Sequence, residues 1–489
     1  MSLARRAARG AGWSLAQQIG SQTIQFGVIS VLAWLLDAGS FGLIATALAL
    51  VNIAQVIVEG GFGKAIVQRE TLEPGHLDTA FWTSISVGLG ATLTGVLLSG
   101  PISRLYGMPE LGPVMAWLSL SILIASLGST QTAILQREMR FKSLAVRRLI
   151  AQSVGGVVGI AMAVGGMGVW SLVGMNVAGR AADAAVVWTA SDYRPGFRVS
   201  RRHFTDLFSY GANVLGMNLV MIVNQRTPDM LIPYLLGKEA AGYYFLAFRL
   251  VSVLVQTLVG AIGAVALPTF SKLQNDADLM GRAYLKAVRL TSAFALPAFA
   301  GLGLLAPELI QMIWGPQWLA ISNVVRVLTL LGVLQTLTRF NIAATMARGK
   351  PSWELIFMSL GAGMNIGLFA VAYWLGGGTV TLAGAFVTQA YLIAPLRVEA
   401  VRRLLGVGPG RVARQLVGVA VSTIVMGAAV WATQSVLSGR GGPIVALMLP
   451  TSVGVIVYAT MLTLLARPLV REAMALGRLA APDPRSAPR

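Results

Sequence analysis

The segment from Leu35 to Gly63 occurs a second time, at Leu235 to Gly263, and both copies lie within long apolar runs. The two copies align without a gap. A repeated stretch of membrane helix is typical of transporters that are built from two related halves. The repeat therefore predicts an internally symmetric membrane protein. The identical pairs are Leu35/Leu235, Leu36/Leu236, Gly42/Gly242, Ala47/Ala247, Leu50/Leu250, Val51/Val251, Gly60/Gly260 and Gly63/Gly263.

The composition supports many membrane crossings. Of 489 residues, 55% are hydrophobic and only 12% are charged. The apolar runs reach about twenty residues, enough for a helix to cross roughly 30 Å of hydrocarbon. We predict an all-α integral membrane protein with about fourteen transmembrane helices. The predicted spans are 11–36, 39–61, 79–100, 112–135, 143–164, 168–190, 209–235, 240–267, 287–304, 319–345, 354–375, 378–396, 412–436 and 442–466.

A weaker part of the repeat extends through the fourth and tenth spans, where Arg137 and Leu144 match Arg348 and Leu355. The repeating unit is then six helices. Because six is even, both copies enter the membrane in the same orientation, related by a pseudo-two-fold axis along the membrane normal. The predicted parts are an N-terminal six-helix lobe (1–202), a C-terminal six-helix lobe (203–405), two additional helices (406–479) and a disordered tail (480–489).

The basic residues are unevenly distributed. The net charge is +19, and about 30 of the Lys and Arg residues fall on every second loop and on both termini, the pattern of cytoplasmic loops. Both termini are therefore predicted to be cytoplasmic. The basic loops also suit anionic membrane lipids, whereas the same distribution argues against nucleic acid as a partner.

Several function classes are disfavoured. Cysteine is absent, and the two histidines, His76 and His203, fall in predicted cytoplasmic loops. This argues against a zinc site or a histidine proton relay, and no cofactor is expected. No predicted loop is long enough for a catalytic domain, so an enzyme is not expected either. Arg5, Arg6 and Arg9 precede a run that is read as an uncleaved first helix.

Charges within predicted spans mark a functional region, because each costs roughly 2.5–3.5 kcal/mol at a helix centre. Arg226 and Asp229 are three residues apart and share a helix face. Pro228 lies between them and is predicted to break the helix and free carbonyl groups near Asn224. Such a broken helix is tolerated where it lines a cavity. The ionisable residues within spans are Glu59, Arg180, Asp183, Arg226, Asp229, Arg249, Arg326 and Arg339.

Three of these arginines, Arg226, Arg249 and Arg326, are predicted to line a cavity in the second half and to bind phosphate. The first half has Phe26 and Ala49 at the positions of Arg226 and Arg249. The positive charge of the cavity is therefore expected to lie mainly on the side of the second half.

Amide side chains complete the predicted binding set. Gln25 and Asn52 suit sugar hydroxyls, although each suits a hydrogen bond between helices equally well, which is the more common role for a single residue. Asn224, where the break at Pro228 would free carbonyl groups, is assigned to the same cavity. A basic, amide-rich cavity within the membrane favours an amphiphile with an anionic phosphate and a polar glycan.

Asp229 is predicted to couple ion movement to transport, because its protonation would depend on whether bound phosphate draws Arg226 away. Glu59 is a rival for that role. The alternative for Asp229 is a permanent ion pair with Arg226. Arg180 and Asp183 have the same spacing, and a local ion pair is likewise one interpretation of those two residues.

The sequence resembles the polysaccharide-transporter family of the multidrug/oligosaccharidyl-lipid/polysaccharide flippase superfamily, in its Wzx and WzxC-like branch. The resemblance covers roughly residues 10–360. The segments that carry it are LLDAGSFGLIATAL from Leu35, HLDTAFW from His76, ILQREMRFKSLAV from Ile134, GMGVWSLVG from Gly166, RPGF from Arg194, PDMLI from Pro228, AAGYYFLAFRLV from Ala240, ALPTFSKLQND from Ala266 and the GPQW that ends at Trp318.

The resemblance implies a two-lobed fold of fourteen helices, alternating access, and flipping of undecaprenyl-diphosphate-linked oligosaccharide across a bacterial inner membrane. Asp229 matches a charged position of the family, whereas Arg226, Thr227 and Pro228 depart from the usual pattern. The related lipid II flippases have arginines in their first two helices. No arginine occurs here between Arg9 and Arg69, which disfavours a peptidoglycan precursor.

The favoured function is therefore a flippase for exopolysaccharide or O-antigen repeat units, with a polysaccharide polymerase and glycosyltransferases as candidate partners. A cation-coupled drug exporter of the same superfamily is the first alternative, disfavoured by the excess of arginine over carboxylate. A glycan polymerase or ligase is the second, and it would need a substantial loop.

Overall fold

A computed structural model describes residues 3–60, 62–69, 71–437 and 442–467, together with Leu469. Over this part the chain is helical throughout and contains no β-strand. The predicted tail 480–489 lies outside the described residues, as does the side chain of Glu59. The helices are α1 (Leu3–Leu35), α2 (Ala38–Gly60), α3 (Phe62–Gln68), α4 (Pro74–Tyr106), α5 (Leu111–Leu127), α6 (Ser129–Arg137), α7 (Phe141–Val164), α8 (Val169–Ala190), α9 (Arg201–Leu236), α10 (Lys238–Leu254), α11 (Gly260–Lys272), α12 (Ala277–Leu304), α13 (Ala306–Trp314), α14 (Ser322–Ala347), α15 (Pro351–Trp374), α16 (Thr379–Leu405), α17 (Pro409–Leu437) and α18 (Pro443–Leu465), with a π-helical turn at Val255–Val259 and a 3-10 helix at Pro316–Ile321.

The helices confirm a multi-pass membrane protein. Ten helical segments of the described chain are long and apolar enough to cross a bilayer, and the bent pair α5–α6 makes eleven. Three further predicted spans coincide with α1, α8 and α9, where α8 carries Arg180 and Asp183 and α9 carries Arg226 and Asp229. The exact number of fourteen spans, and their grouping into two six-helix lobes and a final pair, stay predictions.

The predicted break at Pro228 is wrong. Helix α9 runs without interruption from Arg201 to Leu236, although it contains Pro228 and Pro233. Proline within a membrane helix is tolerated where the surrounding protein supports the helix. In the turn before Pro228, Thr227 Oγ1 donates to the Val223 carbonyl oxygen over 2.9 Å. The helix breaks lie elsewhere, at the 43° bend between α5 and α6 and at the π-helical turn after α10.

The chain divides into two compact units. Unit 1 comprises Met1–Leu246 and Met358–Phe386, and unit 2 comprises Ala247–Phe357 and Val387–Arg489. The predicted lobe boundaries at 202 and 405 remain predictions. In unit 2, α11, α12, α14 and α16 enclose a core that contains Phe270, Tyr284 and Phe340, and the Tyr284 hydroxyl donates to Asn341 Oδ1 over 2.8 Å.

In unit 1 the two copies of the repeat approach each other where α2 and α10 begin. A methyl group on Gly42 would lie 1.7 Å from the Lys238 carbonyl oxygen, and one on Gly242 would lie 1.9 Å from the Ala38 carbonyl oxygen. These two contacts are equivalent under the repeat, since Ala38 matches Lys238 and Gly42 matches Gly242. Only glycine allows two helix backbones to come this close. We call this region the glycine crossing.

Candidate functional site

Unit 1 encloses a cavity of about 470 Å³ between α1, α2, α7, α8 and α9. We call it the polar cavity. Its lining mixes apolar side chains with a large group of amide and charged residues. The polar lining residues are Gln25, Asn52, Gln55, Arg147, Arg148, Gln152, Asn176, Arg180, Asp183 and Arg226.

Small residues position the two helices that carry most of these charges. A methyl group on Gly155 of α7 would lie 2.6 Å from the Met175 carbonyl oxygen and 3.2 Å from the Gly179 Cα of α8. The absence of side chains here lets α7 and α8 pack closely, in the manner of small-residue interfaces in membranes. The close packing brings Arg147 of α7 beside Asp183 of α8.

The charged groups of the wall are held by an ion pair and by hydrogen bonds between helices. Arg147 Nε lies 3.1 Å from Asp183 Oδ1, and Arg147 Nη1 donates to Thr132 Oγ1 over 2.5 Å. Arg180 Nη2 donates to Gln55 Oε1 over 3.0 Å. Arginine makes several such bonds from one planar group, so these contacts fix the orientation of each guanidinium group.

Arg226 and Asp229 form an ion pair within α9. Arg226 Nη1 lies 3.0 Å from Asp229 Oδ2, and the side chains are 35% and 10% exposed respectively. The more exposed Arg226 lines the polar cavity, whereas Asp229 is not one of its lining residues. The cavity wall therefore carries four arginines and one aspartate, a formal charge of +3 (four minus one).

The predicted site residues of the first unit fall into two groups. Gln25, Asn52 and Arg226 line the polar cavity together. Asn224 accepts a hydrogen bond from Asn365 Nδ2 over 3.1 Å, which joins α9 to α15. This bond joins two helices, and substrate binding by Asn224 stays a prediction.

The other two predicted phosphate ligands belong to unit 2. Arg249 of α10 is half-buried, and its Nε and Nη2 atoms have no hydrogen-bond partner among the described residues. Arg326 of α14 is exposed and donates to the Gly303 carbonyl oxygen over 3.3 Å and to Asn323 Oδ1 over 3.1 Å. Their convergence with Arg226 stays a prediction, as does the coupling role of Asp229 and Glu59.

Sequence reasoning missed the contribution of α7. Arg147 and Arg148 fall in the predicted span 143–164 but were not counted among its functional charges, and both lie in the second turn of α7 and line the cavity. A helical signal was present, because Arg148, Gln152 and Gly155 are spaced by four and three residues and so share one face.

A second cavity of about 300 Å³ shares Arg147, Arg148, Arg180 and Asp183 with the first. It lies at the α5–α6 bend. Its other polar lining residues are Lys64, Ser129, Thr132 and Gln136.

Comparison with known proteins gives consistent matches over most of the chain. The chain is 27% identical to the succinoglycan biosynthesis transport protein ExoT of Rhizobium meliloti, over 64% of this chain and 64% of that protein. It is 24% identical to the lipopolysaccharide biosynthesis protein WzxC of Escherichia coli, over 81% of this chain and 80% of that protein. The teichuronic acid biosynthesis protein TuaB of Bacillus subtilis is 25% identical over 66% of this chain and 69% of its own length.

Two solved structures of membrane transporters share the fold of this chain. The lipid II flippase MurJ in an inward closed conformation matches with a TM-score of 0.76 at 13% identity, covering 95% of this chain and all of that chain. An inward-facing multidrug resistance MATE transporter of the MOP superfamily matches with a TM-score of 0.58 at 16% identity, covering 81% of this chain and 94% of that chain.

A family model described as polysaccharide biosynthesis protein matches residues 31–323, which is more than half of the chain. Together with ExoT, WzxC and TuaB, this match confirms the resemblance to Wzx-like polysaccharide transporters that the sequence motifs indicate. The protein belongs to the polysaccharide biosynthesis protein family.

Proposed function

We propose that this protein is a non-enzymatic flippase that moves undecaprenyl-diphosphate-linked oligosaccharide repeat units across the bacterial inner membrane by alternating access, with both termini in the cytoplasm. The observation that carries the proposal is the polar cavity, which combines a surplus of arginine with amide side chains inside a membrane-spanning unit. The relatives support the class of substrate, since their names refer to the biosynthesis of succinoglycan, lipopolysaccharide and teichuronic acid.

The two kinds of lining residue suit the two parts of such a substrate. Guanidinium groups bind phosphate oxygens through paired hydrogen bonds, so Arg148, Arg180 and Arg226 are assigned to the diphosphate. The amides of Gln25, Asn52 and Gln152 can donate and accept, which matches sugar hydroxyls. Arg249 and Arg326 of unit 2 remain proposed phosphate ligands for a later stage of transport.

In the proposed transport cycle, the glycine crossing closes the path from the polar cavity to the periplasm. If both termini are cytoplasmic and the predicted spans alternate, α2 and α10 begin on the periplasmic side, so the crossing would seal the periplasmic ends of these two helices. Phe41 and Phe245 stack beside it with ring centroids 6.2 Å apart. Lys238 Nζ also lies 2.8 Å from Glu110 Oε1. A substrate in the polar cavity would reach the periplasm only after these contacts separate.

Asp229 is proposed to couple transport to an ion gradient. Its only described charged neighbour on α9 is Arg226, at 3.0 Å. When a phosphate engages Arg226, Asp229 loses part of its counter-charge, and a neutral carboxyl group can then be enclosed at lower cost than an ionised one. Proton uptake would thereby accompany substrate binding.

A cation-coupled drug exporter is the alternative that the fold permits, because MATE transporters share it. The charge of the polar cavity argues against it. A site for hydrophobic cations needs acidic or neutral walls, whereas four arginines and one aspartate line this one.

The test is transport by purified protein in vesicles that contain a fluorescent lipid-linked oligosaccharide. Arg226→Ala should reduce flipping about tenfold or more, because a charge-assisted phosphate bond is worth about 1.5–3 kcal/mol. Arg226→Lys should keep part of the activity, since the charge remains but the planar group does not.

The double variant Arg226→Ala with Asp229→Ala separates binding from folding. The single Arg226→Ala variant leaves a buried carboxylate unpaired, which lowers stability, and the double variant removes that penalty. Because Asp229 is itself the proposed coupling residue, the double variant is assayed for binding of the lipid-linked oligosaccharide, and recovered stability without recovered binding supports the proposal. Wild-type flipping by Arg226→Ala at normal protein level, or transport of a hydrophobic cation in place of the glycolipid, would contradict it.

A further inference from the structure

The two histidines of the chain lie ring against ring, away from the polar cavity. His76 is in the first turn of α4 and His203 is in the first turn of α9, with ring centroids 4.2 Å apart and planes inclined by 43°. The sequence placed them in separate loops and argued against a zinc site. The fold instead makes them neighbours, so that argument no longer applies.

A carboxylate completes a set of three candidate metal ligands. Glu73 Oε2 lies 3.1 Å from His203 Nε2, and one ligand atom each from Glu73, His76 and His203 can be chosen within 4.8 Å of one another. The ligand atoms of a tetrahedral zinc ion are about 3.3–3.6 Å apart, as follows from bond lengths of about 2.0–2.2 Å. Small side-chain movements would therefore close the set around an ion.

The hydrogen bonds of His76 place a lone pair on Nδ1, which is the nitrogen that would bind a metal ion. Nδ1 accepts a hydrogen bond from the Glu73 backbone N–H over 3.2 Å, so the lone pair is on Nδ1 and the proton is on Nε2. Nε2 points towards Asp206, whose Oδ2 atom lies 3.6 Å away and is also held by Arg69 Nη2 at 3.2 Å. A histidine whose second nitrogen faces a carboxylate is the usual arrangement around protein-bound zinc.

His203 also has a free ring nitrogen. Its Nδ1 atom is buried and has no hydrogen-bond partner among the described residues. Buried polar atoms without partners are uncommon and call for an explanation. A metal ion would supply a partner for the His203 ring. It would also replace the hydrogen bond that the Glu73 backbone N–H donates to His76 Nδ1.

Gly75 makes room for the His203 ring. A methyl group on Gly75 would lie 2.4 Å from Cε1 and 2.6 Å from Nδ1 of His203. The ring can therefore approach His76 only because residue 75 lacks a side chain. Glu73 is 61% exposed while His76 is 2% exposed, so an ion could reach the cluster from the solvent side.

We propose that Glu73, His76 and His203 form a binding site for Zn²⁺ or a similar divalent transition-metal ion, with Asp206 orienting His76. Two imidazoles and one carboxylate are the ligand types that such ions prefer, and water would fill the fourth position. The bound ion would join the start of α4 to the start of α9. This site is independent of the substrate proposed for the polar cavity.

The first test is equilibrium dialysis of the purified full-length protein against ZnCl₂, with an affinity tag that contains no histidine. The protein has no cysteine and only these two histidines, so background binding is low. Wild type should bind one zinc ion per chain, and Co²⁺ should give the visible absorption of a tetrahedral site. His203→Ala should weaken binding by about 100-fold or more, and Asp206→Asn by about 10–100-fold.

The second test moves a ligand without removing one. Gly75→Ala should displace the His203 ring and weaken zinc binding by about tenfold or more. Gly90→Ala in the same helix is the matched control, since a methyl group there meets nothing within 4 Å, and it should bind zinc like wild type. Less than one tenth of a zinc ion per wild-type chain, or equal affinities for wild type, His203→Ala and Gly75→Ala, would overturn the proposal.

Discussion

The glycine crossing and the polar cavity lie in the same unit, but they treat the internal repeat in opposite ways. At the crossing, Gly42 and Gly242 occupy equivalent positions and pack in equivalent ways. A methyl group added to Gly42 would lie 1.7 Å from the opposing carbonyl oxygen, and one added to Gly242 would lie 1.9 Å from its own. In the cavity, Arg226 lines the wall while its counterpart Phe26 does not. The comparison teaches that close helix packing was retained in both copies, whereas the charges that suit a ligand belong to one.

The largest expected effect is at the crossing. Gly42→Ala forces two helix backbones apart, and overpacking of this kind costs about 1–3 kcal/mol. We expect a lower midpoint of thermal unfolding in detergent and loss of polysaccharide export. Gly27→Ala is the matched control, because a methyl group there meets nothing within 4 Å. Equal stability and export for the two variants would show that the crossing is not a tight contact in the working protein.

The next effect concerns the wall of the polar cavity. Arg147→Ala leaves Asp183 without its described ion-pair partner and should lower the free energy of unfolding by about 1–3 kcal/mol. Arg147→Ala combined with Asp183→Ala should recover most of that loss. If the double variant is as unstable as the single one, the ion pair does not account for the role of Arg147.

A smaller and purely functional effect is expected at Arg148, which is exposed and lines both cavities. Arg148→Ala should lower flipping of a lipid-linked oligosaccharide about tenfold, the value of one charge-assisted hydrogen bond, with stability unchanged. Arg202→Ala, an exposed arginine of α9 outside both cavities, should behave like wild type. The same loss in both variants would point to a general effect of surface charge.

The smallest effect is expected from the ion pair beside the crossing. The hydrogen bond from Lys238 holds the pKa of Glu110 below its usual value. A lowered pKa in the folded state contributes stability above the ordinary pKa of a glutamate, and this contribution is lost as the pH falls through the lowered value.

Both side chains of this pair are more than one third exposed, so solvent screening limits the contribution to about 0.2–1 kcal/mol. Wild type should unfold at a slightly higher temperature than Glu110→Gln at pH 7, and the difference should shrink steadily as the pH falls below the ordinary pKa of a glutamate. A difference that does not depend on pH in this acidic range would assign it to something other than the charge of Glu110.

The sequence predicted the features that depend on local pattern. Apolar periodicity indicated the long helices, and the repeat identified Gly42 and Gly242 as equivalent positions. The spacing of Arg226 and Asp229 indicated an ion pair as one interpretation. Features that depend on contacts between distant segments could not be found in this way. The pair Arg147–Asp183 joins separate helices, and His76 and His203 become neighbours only when α4 and α9 begin at the same place. The break predicted at Pro228 was wrong, since α9 continues through Pro228 and Pro233 as far as Leu236.

The central claim is that the polar cavity of unit 1 binds the lipid-linked oligosaccharide, and protection of single cysteines tests it most directly. The natural chain has no cysteine, so Gln152→Cys places one thiol on the cavity wall and Gly90→Cys places one in α4, outside the cavity. The labelling rate with a small maleimide is measured with and without a lipid-linked oligosaccharide. We predict that the substrate slows labelling at position 152 and leaves position 90 unchanged. Equal labelling of Gln152→Cys with and without a substrate that the protein still transports would contradict the account.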